Sequence, residues 1–130
     1  MERELKEHGI KITPQRLELI KKLKELEKIH PSFNEVYNAI IKTYPNVSRS
    51  TVYENLKLLV ELDVIKSFHY NGEIHYEMNF EPHVNMVEPS GKIIDIKNDK
   101  VRKLLEEIES IIEKDEGIEL KNLLVIIEKK

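Results

Sequence analysis

The sequence predicts a winged helix-turn-helix (three-helix bundle plus β-hairpin wing) followed by a small α/β dimerisation domain. Three helical stretches joined by short connections precede Asp63, and the third is the most strongly patterned. The apolar period then changes from helical to two around an Asn71-Gly72 turn. Beyond Pro82, strand, helix and strand patterns follow in that order. The expected boundaries are 1–80 for the winged domain and 83–130 for the dimerisation domain.

Residues 1–10 read as a short helix ended by Gly9, with Leu5 and Ile10 as its apolar points. In Thr13-Pro14-Gln15-Arg16, Thr13 is placed as an N-cap and Pro14 as the first helical residue, where its missing N–H costs nothing. The helix continues to about Glu27, with Leu17, Ile20, Leu23 and Leu26 expected inward. His30-Pro31 breaks the chain. Ser32 and Glu35 then form a capping box over a helix whose stripe is Val36, Tyr37, Ile40 and Ile41.

Tyr44-Pro45-Asn46 ends that helix, and Ser48 or Ser50 caps the next, which buries Val52, Leu56, Leu59 and Leu62, with Leu58 and Val60 thickening the face. Arg49, Ser50, Thr51 and Tyr53 occupy the front end of this helix on the side the stripe leaves free. Hydroxylic, aromatic and basic groups there suit a helix that enters a DNA major groove. The hairpin after it, turned by Asn71-Gly72 as a type I′ pair, makes the domain winged. The same architecture also serves as a protein-interaction module, and both readings stand at this point.

The second part is expected to hold strands at 84–87 and 92–96, a helix capped by Asn98 or Asp99 and running to about Lys114, and a last strand from Ile118 to Ile127. The helix should bury Val101, Leu104, Leu105, Ile108, Ile111 and Ile112. Leu123-Leu124-Val125-Ile126-Ile127 has no polar break, so it should be covered on both faces or lie at a subunit interface. So small a unit cannot bury this much alone, and pairing with a second copy is the simplest solution. Such a homodimer would match a palindromic operator.

A hydrophobic fraction of 40% with 35% charged residues describes a soluble, helix-rich protein. The start reads Met-Glu-Arg-Glu and no apolar run approaches a membrane span, so a cytoplasmic protein with no membrane partner is expected. Cysteine is absent, which excludes disulfides, thiolate metal sites and cysteine nucleophiles. No phosphate-cradling glycine loop or triad is present either, and no enzymatic activity is expected. The net charge of −3 is not spread evenly: residues 1–78 hold 12 basic and 12 acidic side chains. A neutral DNA reader must gather its cations on one face, and Lys11, Arg16, Arg49, Lys57 and Lys66 are the candidates.

Thr13-Pro14-Gln15-Arg16, His30-Pro31, Tyr44-Pro45-Asn46-Val47-Ser48, Thr51-Val52-Tyr53-Glu54-Asn55-Leu56 and Gly91-Lys92-Ile93-Ile94-Asp95 together resemble the ferric uptake regulator family, in order and over nearly the whole chain. The resemblance implies a dimeric, metal-responsive transcriptional regulator, a repressor that binds double-stranded DNA. It places Tyr53 as the tyrosine of the reading helix, able to meet a thymine methyl or a phosphate, with Ser50 and Thr51 beside it and Arg49 and Lys57 suited to phosphates. Glu54 stands where many relatives carry a basic or neutral polar residue, so operator preference is expected to differ.

For the regulatory metal, the resemblance implies His30, Glu77, His83 and Asp95, with Asn85 as a weak fifth donor where relatives usually have a second histidine. Two imidazoles and two carboxylates suit one zinc, manganese or iron(II) per chain, bound between the two domains. The family's structural zinc site needs two Cys-x-x-Cys pairs. Glu88-Pro89-Ser90 and Glu128-Lys129-Lys130 occupy those places, so no structural zinc on four cysteines is expected and apolar packing must hold the second domain. His69 and His75 fall outside the ligand pattern and read as strand residues. The alternative is a metal-independent winged-helix protein, either a constitutive DNA binder or an interaction module.

Overall fold

A computed structural model describes all 130 residues and divides into two units, Met1–Asn79 and Phe80–Lys130. The first unit contains α1 (Glu2–Glu7), α2 (Pro14–Leu26), α3 (Phe33–Ile41), α4 (Arg49–Glu61), β1 (Lys66–Tyr70) and β2 (Glu73–Glu77). The second contains β3 (Val84–Val87), β4 (Ile93–Ile96), α5 (Asp99–Glu116) and β5 (Val125–Glu128).

The helices of the first unit start where side chains can satisfy their free N–H groups. Thr13 accepts from the Arg16 amide at 3.2 Å, and Pro14 is the first residue of α2. Ser32 and Glu35 close a reciprocal capping box on α3, both bonds at 3.2 Å. Ser48, not Ser50, caps α4, its hydroxyl 3.1 Å from the Thr51 amide. The core is built from Leu19, Ile20 and Leu23 of α2, Val36 and Ile40 of α3, and Val52, Leu56 and Leu59 of α4, closed by Leu5, Val64, Ile65 and Tyr76.

Three details depart from the sequence reading. α2 ends at Leu26 and tightens into a 3₁₀ turn over Glu27–Ile29. Leu17 is 46% exposed, and Leu19 takes the buried place assigned to it. The periodicity allowed either face, and contact with α3 and α4 selected the one centred on Leu19, Ile20 and Leu23. Leu58, Val60 and Leu62 are only half-buried, so α4 buries a narrower stripe than expected.

β1 and β2 pair antiparallel, with Lys66 opposite Glu77 and Tyr70 opposite Glu73. Asn71 (φ 51°) and Gly72 (φ 79°) both adopt positive φ, the requirement of a type I′ turn. The wing is tied to the bundle by main-chain contact. The Tyr76 amide donates to the Pro31 carbonyl at 2.9 Å, and Ser32 and His75 form an antiparallel bridge.

In the second unit the sheet order is β4-β3-β5, with β3 antiparallel to β4 and parallel to β5. A parallel neighbour needs a crossover, which α5 supplies. Asn98 caps α5 through the Val101 amide at 3.1 Å, and Gly117 at φ 64° ends it. The last strand is shorter than predicted. Val125–Glu128 pairs with the four residues of β3, and residues 118–124 find no such partner strand.

Of the apolar residues expected to be buried on α5, only Leu105 is buried outright; Leu104, Ile108 and Ile111 are 59, 44 and 50% exposed. On β5 Ile127 is likewise exposed. Within one chain the stripe is therefore only partly covered.

Leu56 is fully buried where α4 meets the rest of the bundle. Leu56→Ala is expected to destabilise the first unit by about 2–5 kcal/mol, the range for a buried leucine whose cavity does not collapse. Urea unfolding followed by far-UV circular dichroism measures it.

Candidate metal centre and nucleic-acid face

Within the first unit, His30 and Glu77 come together from positions far apart in sequence. His30 follows the 3₁₀ turn and holds φ 45°, a left-handed conformation that a non-glycine residue adopts only when its surroundings fix it. The fixing contact is the bond between its carbonyl and His75 Nδ1, at 2.9 Å. The carbonyl can only accept, so this nitrogen of His75 carries the proton. The His75 ring stacks on Phe68 at 5.5 Å, and His30 meets the same Phe68 edge-on at 6.2 Å. Held in this way, His30 Nε2 lies 3.9 Å from Glu77 Oε2, both side chains 3% exposed. The other oxygen of Glu77 lies 3.4 Å from Lys66 Nζ.

The second unit repeats the chemistry. His83 Nε2 lies 3.3 Å from Asp95 Oδ1, and His83 Nδ1 donates to the Glu81 carbonyl at 2.6 Å. With the proton on Nδ1, a neutral His83 has Nε2 as the ring nitrogen suited to a metal. Asn85, opposite Asp95 across β3 and β4, sets its Oδ1 3.1 Å from the same Nε2 and donates from Nδ2 to the Val125 carbonyl at 3.3 Å. Its amide thus ties β3 to β5 while facing His83.

The front of α4 carries the expected hydroxylic and aromatic surface. Ser50, Thr51, Tyr53, Glu54 and Lys57 are exposed. Tyr53 is 41% exposed and packs edge-on against Phe33 at 6.0 Å, so one part of the ring is held and the rest is presented. Tyr76, beneath, has its phenol pushed above the ordinary tyrosine value, by burial first and by the nearby Tyr53 second, and stays neutral.

The basic residues divide. Lys57 is open to solvent, whereas Arg49, Arg16 and Lys66 make bonds inside the unit. The Arg49 guanidinium lies 5.0 Å from the Phe33 ring centre and 4.8 Å from that of Tyr37, and donates to Asn34 Oδ1 at 2.6 Å. It locks the front of α4 onto α3. Arg16 donates to Asn55 Oδ1 at 3.0 Å and to the Lys11 carbonyl at 2.9 Å, which fixes the start of α2 against α4. An open groove of about 300 Å³ separates the helix front from the wing tip, lined by Phe33, Arg49, Tyr53, His69 and Glu73 among others.

Residues 7–127 match the ferric uptake regulator family. The chain belongs to that family. It is 40% identical over 85 residues to the ferric uptake regulation protein homolog of Archaeoglobus fulgidus, covering 65% of this chain and 66% of that protein. It is 32% identical over 95 residues to the peroxide-responsive repressor PerR of Staphylococcus aureus, covering 72% of this chain and 64% of that one. The chain therefore matches just under two thirds of the length of these curated relatives. Among solved structures, the peroxide stress regulator of Campylobacter jejuni is similar at a TM-score of 0.73 and 35% identity, covering 100% of this chain and 95% of that one. Its fold, a helical winged domain followed by an α/β domain, is the fold of this family member.

Residue spacing did not disclose the places that His75, Glu73 and His69 take beside the site and the groove. A signal existed for His75 alone: two residues before Glu77 on a strand, it must share that residue's face. His75→Phe should keep the stack on Phe68 while leaving the buried His30 carbonyl without this donor. A loss of about 1–3 kcal/mol in thermal or urea unfolding is expected, the range for removing one partner of a buried hydrogen bond.

Proposed function

We propose that this chain is a dimeric, sequence-specific DNA-binding repressor whose DNA affinity is set by one divalent metal held by His30, Glu77, His83 and Asp95. The observation that carries this reading is the convergence, in each unit separately, of a histidine Nε2 with a carboxylate oxygen, 3.9 Å apart in one and 3.3 Å in the other. Neither pair alone completes a four-coordinate shell; the four residues together offer two imidazoles and two carboxylates. That donor set suits zinc, manganese or iron(II), and with no cysteine in the chain no thiolate competes.

Bound there, the ion would supply coordination bonds drawn from both units. A reading unit joined to its dimerising unit in this way has a restricted set of orientations, and the differential affinity of the metal for the DNA-competent set is the coupling. Asn85 contributes little to ligation, because its Nδ2 is committed to the Val125 carbonyl and a neutral amide oxygen is a weaker ligand than an imidazole or a carboxylate.

On the DNA side, Ser50, Thr51 and Tyr53 read the groove and Lys57 meets phosphate, while Arg49 and Arg16 hold the helix that reads. A cytoplasmic location accords with this role, and no helix is long and apolar enough to cross a membrane. The second copy is supported by the exposed stripe of Leu104, Ile108 and Ile111, four and three residues apart on α5. A second chain covering that stripe would give the two-fold symmetry a palindromic operator requires.

Mobility shifts on palindromic probes selected from a random library test the reading. Wild-type chain should bind more tightly with zinc or manganese than with chelator, His83→Ala should lose that difference, and Tyr53→Ala should weaken binding about tenfold or more in both conditions. An unchanged shift with and without metal would remove the sensing role. Ile108→Glu should convert the dimer to a monomer in sedimentation velocity, since it places a charge in the stripe.

A further inference from the structure

Lys66 stands directly opposite Glu77 in the β1–β2 register, at the base of the wing. The two oxygens of Glu77 face different partners. Oε1 lies 3.4 Å from Lys66 Nζ, and Oε2 lies 3.9 Å from His30 Nε2. The pair is enclosed, with side-chain exposures of 18% for Lys66 and 3% for Glu77. An ion pair so shielded from water is weakly screened and holds its geometry, because breaking it strands a buried charge.

We propose that Lys66 is a positioning residue that holds Oε1 of Glu77, so that the carboxylate presents Oε2 alone to a metal ion beside His30. The inference rests on the reading that His30 and Glu77 are metal ligands, and it adds a selectivity to that site. A carboxylate fixed to one-point ligation suits a four-coordinate ion of the zinc kind. Manganese favours six oxygen-rich positions, and a carboxylate free to chelate through both oxygens helps to fill them. An ammonium on the far oxygen withholds that second bond. Lys66 therefore biases the site toward zinc over manganese, and does so from a strand of the wing.

The test uses the full chain with cobalt(II), zinc and manganese as probes, comparing wild type with Lys66→Met, Lys66→Arg and Glu77→Gln. Lys66→Met keeps much of the aliphatic stem and removes the charge. The expected result is weaker visible d–d absorption of its cobalt form, the mark of a higher coordination number, and a shift of about tenfold or more toward manganese in zinc–manganese competition. Lys66→Arg, which keeps a cationic donor, should retain the wild-type spectrum and preference. Should Lys66→Met not fold, Lys66→Gln, a neutral donor, should move the metal preference in the same direction by less.

Wild-type spectrum and preference in the folded neutral variant, with Glu77→Gln altered, would overturn the positioning role and leave the metal site standing. A Glu77→Gln variant that binds cobalt as wild type does would overturn the ligand assignment itself, and the positioning role with it.

Discussion

The constraint on which the first unit depends is the attachment of the His30–Ser32 segment to β2. This segment leaves the 3₁₀ turn with His30 in a left-handed conformation and enters α3 through the Ser32 cap. Two bonds of 2.9 Å hold it, from the Tyr76 amide to Pro31 and from the His75 ring to the His30 carbonyl. They do two things together. They fasten the wing to the helical bundle, and they bring His30 to the face of the strand that carries Glu77. A strained backbone persists only where its surroundings over-determine it, and here the surroundings belong to the wing.

The front of α4 and the His30–Glu77 pair are therefore built on one scaffold. Ser32 caps α3, whose first turn supplies Phe33 and Asn34. Phe33 and Asn34 hold Arg49, and Phe33 also holds Tyr53. The segment that presents a candidate ligand is thus continuous with the contacts that set the front of α4. Arginine serves here by stacking and hydrogen bonding, which explains how a unit with balanced charge can still present a defined surface: its cations are used partly for geometry, and the exposed front of α4 carries hydroxyls, a phenol, Glu54 and Lys57 beside the anchored Arg49.

The second unit is held together differently. With no cysteine to crosslink a small sheet, three four-residue strands and one helix must rely on apolar packing and a few polar ties. Asn85 is one such tie: buried on β3, it donates from Nδ2 to the Val125 carbonyl of β5. The outer stripe of α5 is what a single chain cannot cover.

Much of this was fixed by the chain itself. Thr13-Pro14, Ser32 with Glu35, Ser48 and Asn71-Gly72 each carry a local reason for the helix start or turn they make, so the order of elements was legible from residue types alone. The candidate ligand set was legible only through resemblance, because His30 and Glu77 are 47 positions apart and no local spacing joins them. Tertiary structure decided what depends on neighbours distant in sequence. It chose Leu19 over Leu17, since helical periodicity permits either face until α3 and α4 pack. It shortened the last strand to the four residues that β3 can pair. It turned Arg16, Arg49 and Lys66 toward internal partners, and it gave His75 a role, because the partner of a hydrogen bond is set by the fold that brings the two groups together.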